Sequence, residues 1–113
     1  ILVLSEHHIP RGDIILKAIP IGGFCLIDGG EADDKIIAVL KGDKVFEQYT
    51  EIHQLPKGIL ERFEHYFLTY KSLPDAPNVC EIAYSYGKDE ASRVIETAIA
   101  DYAKLLKDEL AQQ

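Results

Sequence analysis

Residues 19–39 decide the fold, and they read IPIGGFCLIDGGEADDKIIAV. One apolar run ends before Asp28, and a second apolar run follows Lys35. Short apolar runs rich in Ile and Val, separated by glycine and acidic residues, are typical of consecutive strands. We therefore predict a strand over residues 13–27, an acidic loop over residues 28–34 and a strand over residues 35–40. The glycines at 22 and 23 predict a bend or bulge in the first of these strands.

The flanking segments predict one more strand on the N-terminal side and two helices on the C-terminal side. Residues 1–5 form an apolar strand-like run, and residues 79–83 another after a Pro-rich connector over residues 73–78. Apolar side chains recur at helical spacing after Pro56, and again after Gly87 and Asp89. The first predicted helical stripe consists of Ile59, Leu60, Phe63, Tyr66, Phe67 and Tyr70. The second consists of Ala91, Val94, Ile95, Ala98, Tyr102, Leu105 and Leu106, and we expect it to pack on the flank of the sheet.

Composition predicts a globular protein and disfavours nucleic acid as its partner. The 113 residues are 47% hydrophobic and 27% charged, which suits one domain or part of one. A formal charge of -7 disfavours nucleic acid and anionic membranes as partners. Cys25 and Cys80 stand alone, which favours buried thiols over a disulfide or a zinc site. Because no signal or membrane-spanning pattern is visible, we expect a cytoplasmic protein, and the strand-like start at Ile1 predicts a fragment.

The acidic segment after the first strand is the candidate for chemistry. Asp28 and Asp33 lie five positions apart, and Lys35 follows two positions later. In a strand, alternation places Asp33 and Lys35 on one face and Asp34 on the other. Carboxylates suit Mg2+, which keeps several waters, and a nearby lysine can hold a phosphate. Acidic turns are common and most are merely solvated, so the residues alone favour a solvated turn over a metal site.

Residues 19–39 are similar throughout to soluble family I inorganic pyrophosphatases, in which the stretch typically reads RPIG…MIDEGEKDDKIIAV. A second block, from Ile52 to Lys71, resembles the DLP…HFFEHYK helix of that family. Residues 1–6 look like the strand after the family's D-x-D-P-x-D signature, and residues 89–102 look like its closing helix. The signature and the pocket's upstream Glu, Lys, Arg and Tyr are absent from the chain.

The resemblance implies an α+β, mainly β fold: an OB-like five-stranded barrel with flanking α-helices, here incomplete at its N-terminus. Residues 1–113 would form the C-terminal part of a single domain. An incomplete barrel exposes strand edges, which favour pairing with another chain. We therefore expect a homo-oligomer.

The resemblance also implies the function and the site. It implies Mg2+-dependent hydrolysis of pyrophosphate to two phosphates, with Asp28 and Asp33 binding the metal. Lys35, Tyr70 and Lys71 would contact phosphate, although Tyr70 also fits a core aromatic on the helical stripe. The resemblance assigns no catalytic base to this chain, so we expect the chain alone to be inactive. The alternatives are a non-enzymatic OB-like binding module, which the acidic charge disfavours, or an inactive structural remnant.

Overall fold

The computed structural model describes residues 1–76 and 79–113, in which one mixed, open sheet carries two α-helices. The strands are β1 (Leu2–Leu4), β2 (Ala18–Asp28), β3 (Glu31–Leu40) and β4 (Cys80–Gly87), and the helices are α1 (Lys57–Thr69) and α2 (Lys88–Ala111). A short 3-10 turn covers Ile52–Gln54 before α1. The strand order is β1-β3-β2-β4, with β1 parallel to β3 and the other two pairs antiparallel. The α+β class and the incomplete barrel are confirmed.

The connection between β2 and β3 is shorter than the sequence predicted. Asp28 pairs with Glu31, and only Gly29 and Gly30 lie between the strands. Both glycines have positive φ, 60° and 85°, which a two-residue hairpin turn of type I′ requires. The predicted loop over residues 28–34 is therefore wrong. Residues 31–34 already belong to β3, and Asp28 is the last residue of β2.

Two other strand boundaries also differ from the prediction. β2 begins at Ala18 rather than at residue 13, because Ala18 lies opposite Leu40, the last residue of β3. Ile15, within the segment predicted as strand, is 99% exposed. β4 continues beyond residue 83 to Gly87, because its pairing with β2 runs from Cys80 opposite Asp28 to Gly87 opposite Gly22. Of the Pro-rich connector, residues 77 and 78 lie outside the described residues.

The predicted bend at Gly22 and Gly23 is confirmed, because the β2–β3 register shifts between Pro20 and Gly22. The same segment brings two backbones close together. A Cβ on Gly23 would lie 2.7 Å from the Lys35 carbonyl oxygen and 2.7 Å from the Tyr86 ring. A side chain would not fit at this position without displacing one of them.

Each face of the sheet buries its own apolar cluster. The face that packs with α1 buries a core of Ile21, Phe24, Leu26, Ile37, Val39, Ile52, Leu55 and Phe67. The Phe24 and Phe67 ring centroids are 6.0 Å apart and tilted by 59°, a geometry that contributes about 0.5–1.5 kcal/mol beyond burial. The opposite face, toward α2, buries Cys25, Ile36, Tyr86 and Ala91.

Only the beginning of α2 packs as the sequence predicted. Val94 and Ile95 pack against the cluster that contains Ala91, and α2 contacts β2 and β4. Beyond them the apolar stripe is open to solvent: Tyr102 is 62% exposed and Leu105 52%. The expected packing of this helix is therefore confirmed around Ala91, Val94 and Ile95, and the distal half of the stripe lies exposed in this chain. Within the described ranges, neither helix combines the length and apolarity needed to cross a membrane.

Candidate metal and phosphate site

The five predicted site residues meet at the β2–β3 turn, on the face that packs with α1. Alternation along β3 puts Asp33 and Lys35 on the same face as the buried Ile37. The Lys35 Nζ lies 2.8 Å from Asp33 Oδ2 and donates a hydrogen bond to the Tyr70 hydroxyl at 3.4 Å. Tyr70 therefore faces this pair from the end of α1.

A second carboxylate–lysine pair also lies beside Tyr70. The Lys71 Nζ is 3.1 Å from Asp28 Oδ2, so that the residue after Tyr70 closes onto the last residue of β2. The Tyr70 ring centroid is 5.8 Å from the Lys35 Nζ and 5.5 Å from the Lys71 Nζ. Both distances are within the range of cation–π attraction. Tyr70 thus joins the two ion pairs into one cluster.

Electrostatics keep both lysines protonated. The hydrogen bond to Asp33 raises the pKa of Lys35 above its ordinary value, with a smaller contribution from Tyr70, while partial burial opposes the rise. The pKa of Lys71 is raised chiefly by Asp28 and then by Tyr70. Two ammonium groups and two carboxylates therefore share a cluster whose formal charges cancel.

Asp34 points to the other face, as the alternation predicted. Its Oδ1 accepts a 2.9 Å hydrogen bond from the Tyr86 hydroxyl. Burial raises the pKa of Tyr86, and the neighbouring Asp34 carboxylate raises it further. Tyr86 belongs to the cluster beside α2, so Asp34 is separated by the sheet from Asp33 and Lys35.

The donor set fits a hard cation that retains part of its water shell. In residues 1–76 and 79–113, no three or more His, Cys, Asp or Glu side chains group closely enough to enclose a metal by themselves. Asp28 and Asp33 offer two carboxylates at the turn end of the β2–β3 hairpin, each beside a lysine ammonium group. Mg2+ is commonly held by one or two carboxylates together with waters and substrate phosphates, so these two residues suffice in kind.

Two residues near the site were not predicted from the sequence. Tyr66 stacks on Tyr70, with ring centroids 5.1 Å apart and an interplanar angle of 20°. Their spacing of four residues on a helix was a usable signal. Cys80 lies opposite Asp28 in the β2–β4 ladder. Burial raises the pKa of its thiol, and the negative charges of Asp28 and Asp33 raise it further. Nothing in the local sequence indicated that pairing.

Comparison with known proteins places the chain in a family. The family model described as inorganic pyrophosphatase matches residues 1–103. The chain is 50% identical over 107 residues to the inorganic pyrophosphatase of Chlamydia caviae, covering 90% of this chain and 50% of the relative. For that of Chlamydia muridarum the identity is 47% over 110 residues, covering 93% and 53%. The chain thus spans about half the length of these curated relatives.

Solved structures agree with the sequence matches. The inorganic pyrophosphatase of Helicobacter pylori superimposes with a TM-score of 0.80 at 31% identity, covering 90% of this chain and 60% of the other. That of Neisseria gonorrhoeae superimposes with a TM-score of 0.78 at 30% identity, covering 90% and 58%. These matches confirm the resemblance to inorganic pyrophosphatases that was seen in residues 19–39 and in the α1 segment. The chain therefore belongs to the inorganic pyrophosphatase family.

Proposed function

We propose that the protein hydrolyses inorganic pyrophosphate to two phosphates with the help of Mg2+, and that Asp28, Asp33, Lys35, Tyr70 and Lys71 form part of the site. The observation that carries the proposal is the Tyr70-centred cluster, in which a lysine lies beside each of two carboxylates. Family membership favours this enzymatic function over a non-enzymatic binding module.

Asp28 and Asp33 would hold the divalent cation. Both are at the turn end of the β2–β3 hairpin, and both side chains are partly buried, 22% and 33% exposed. When bound, the cation supplies Lewis-acid chemistry and neutralises phosphate charge. The choice of Mg2+ is supported by the oxygen donors and by the substrate phosphates that would complete its shell.

Lys35, Tyr70 and Lys71 would bind phosphate oxygens. Each lysine now lies against a carboxylate, so a cation on that carboxylate leaves the ammonium group available for an anion. The Tyr70 hydroxyl accepts from Lys35 and has its own hydrogen to donate to a phosphate oxygen. Positioned donors of this kind stabilise the charge that develops on a leaving phosphate.

None of the five residues is assigned to activating the attacking water. Each has a role in holding either the cation or the phosphates. We therefore expect residues 1–113 alone to release phosphate from pyrophosphate slowly or not at all. We expect full activity in a chain of the relatives' length that contains these residues.

The proposal is tested by phosphate release from pyrophosphate in the presence of Mg2+, measured for that longer chain. We expect turnover that stops on chelation of the metal and returns when Mg2+ is restored. Absence of turnover in a folded protein would contradict the proposal. Turnover by residues 1–113 alone at the rate of the longer chain would show that the catalytic centre has been assigned wrongly.

Three further proposals concern the setting in which the protein acts. Homo-oligomer formation is supported by the open sheet, in which β1 and β4 form the edges of the described strands. A reducing, cytoplasmic location is supported by the free thiols of Cys25 and Cys80. The net charge of -7 supports the absence of nucleic acid among its partners.

A further inference from the structure

The orientation of Tyr70 depends on more than the helix that carries it. α1 ends at Thr69, and Tyr70 is the capping residue that follows. Its backbone N–H still donates to the Tyr66 carbonyl oxygen at 2.9 Å, but its side chain is not buried, since the residue is 43% exposed. A half-exposed ring at a helix end has rotamer freedom unless a neighbour restricts it.

Tyr66 is the neighbour that restricts the ring. The two rings are near-parallel at 5.1 Å, so the face of Tyr70 is covered by Tyr66. Tyr66 is itself restrained by a core residue, because its ring makes an edge contact with the Phe67 ring, with centroids 5.6 Å apart. Phe67 is buried against Phe24. A continuous series of aromatic contacts therefore leads from the core of the sheet to the phosphate site.

The position of the Tyr70 ring also affects Lys35 and Lys71. Both ammonium groups lie within about 6 Å of the Tyr70 ring, the range over which the ring attracts a cation. If the ring turned, the Tyr70 hydroxyl would leave Lys35, and both lysines would lose a shared contact. Both lysines lie over the ring of Tyr70, on which Tyr66 stacks, so we expect Tyr66 to act on them through Tyr70.

We propose that Tyr66 is a positioning residue for phosphate binding, and that its ring holds Tyr70 with the hydroxyl toward Lys35. The inference rests on the proposed function, since it assumes that Tyr70 contacts phosphate. The proposed role requires the aromatic ring of Tyr66 but not its hydroxyl group.

The test is a double-mutant cycle in a chain of the relatives' full length, read by calorimetric titration with inorganic phosphate in the presence of Mg2+. The variants are Tyr66→Leu, Tyr66→Phe, Tyr70→Phe and the combination of Tyr66→Leu with Tyr70→Phe. Tyr66→Gln replaces Tyr66→Leu if the latter does not fold. Tyr102→Leu serves as the matched control, because Tyr102 is a similarly exposed tyrosine on α2.

We expect Tyr66→Leu to weaken phosphate binding by about two- to tenfold, the range that one aromatic pair supplies. Tyr66→Phe and Tyr102→Leu should bind like the wild type. In the Tyr70→Phe background, Tyr66→Leu should weaken binding by a smaller factor, because there is no hydroxyl left to position and only the ring contact with the lysines remains. A merely structural role would weaken binding by the same factor in both backgrounds.

The outcomes separate this inference from the proposed function. Wild-type affinity in Tyr66→Leu, or an equal loss in both backgrounds, would overturn the role of Tyr66 while leaving the site intact. Absence of phosphate binding in the wild type, or no effect of Tyr70→Phe, would overturn the assignment of the site and this inference with it.

Discussion

Asp33 and Asp34 are adjacent in the chain but belong to different clusters on opposite faces of the sheet. The Asp33 carboxylate pairs with the Lys35 Nζ at 2.8 Å, whereas Asp34 accepts a 2.9 Å hydrogen bond from the Tyr86 hydroxyl. Strand alternation separates them, and the β2–β3 register fixes which one faces the site. One carboxylate is therefore available to a cation beside Lys35, and the other supports the packing of α2.

We predict that Asp33→Asn is far more damaging to activity than Asp34→Asn in a chain of the relatives' full length. Loss of a charged cation ligand should lower turnover by on the order of a hundredfold or more and raise the Mg2+ requirement. Asp34→Asn keeps an oxygen that can accept from Tyr86, so its cost should be within about 0.5 kcal/mol of stability. Phosphate release measured across a magnesium titration compares the two, and equal losses or the reverse order would show that the assignment of Asp33 is wrong.

A second prediction follows from the competition between lysine and cation for the same carboxylate. Lys71→Met should bind Mn2+, used as a spectroscopic probe in place of Mg2+, about two- to fivefold more tightly, because Asp28 loses its lysine. Free Mn2+ measured by electron paramagnetic resonance gives the affinity. Lys57→Met is the control, since Lys57 pairs with Glu61 on the outside of α1. Unchanged or weaker binding in Lys71→Met would contradict the competition.

The raised pKa of Tyr86 predicts a pH dependence of stability. Above about pH 10 the phenol of the unfolded chain ionises, while the folded chain keeps its proton. The folded state then binds more protons, so the free energy of unfolding falls as the pH rises. The stabilisation from Tyr86 is complete below about pH 10 and is lost as the pH rises through its folded pKa.

Chemical denaturation between pH 8 and pH 11 measures this effect. Above pH 10 the free energy of unfolding should fall more steeply for the wild type than for Tyr86→Phe. The difference in this free energy between the two proteins should therefore narrow. Tyr102→Phe, a change at an exposed position on α2, should follow the wild type. Parallel curves for wild type and Tyr86→Phe would contradict the burial of the Tyr86 hydroxyl.

Gly23 offers a test of the close packing of β2 against the β3 backbone and the Tyr86 ring. Gly23→Ala places a Cβ 2.7 Å from the Lys35 carbonyl oxygen and should lower the free energy of unfolding by about 1–3 kcal/mol. Gly58→Ala is the matched control, because nothing lies within 4 Å of its added Cβ and the site is helical. That variant should be more stable by about 0.5–1 kcal/mol. Equal stability of the two variants in urea unfolding would contradict the packing around Gly23.

Local pattern was enough to predict most elements and one face of the site. Alternation in β3 places Asp33 with Lys35, and helical spacing after Pro56 places Phe67 in the core. Strand ends were predicted less well, because they depend on the partner strand: β2 begins at Ala18 where β3 ends. The loop predicted over residues 28–34 is wrong because its acidic residues also occur in strands, and Gly29 and Gly30 alone form the turn.

The contacts that complete the site depend on tertiary structure. Lys71 meets Asp28 across 43 positions, and Tyr86 meets Asp34 across 52. No periodicity links residues so far apart, and only the resemblance to the family placed Tyr70 and Lys71 beside the hairpin. The exposed distal half of α2 was also beyond prediction, because an apolar stripe does not reveal what covers it.

Binding of inorganic phosphate in the presence of Mg2+ to a chain of the relatives' full length tests most directly whether the five residues form one site. Calorimetric titration should show saturable binding in the wild type that requires Mg2+. Lys35→Met and Lys71→Met should each weaken it by about tenfold, since each removes a charged contact to phosphate. Lys57→Met, which changes a lysine on the outside of α1, should leave it unchanged. No binding in the folded wild type, or equal affinity in all four proteins, would contradict the assignment of the site.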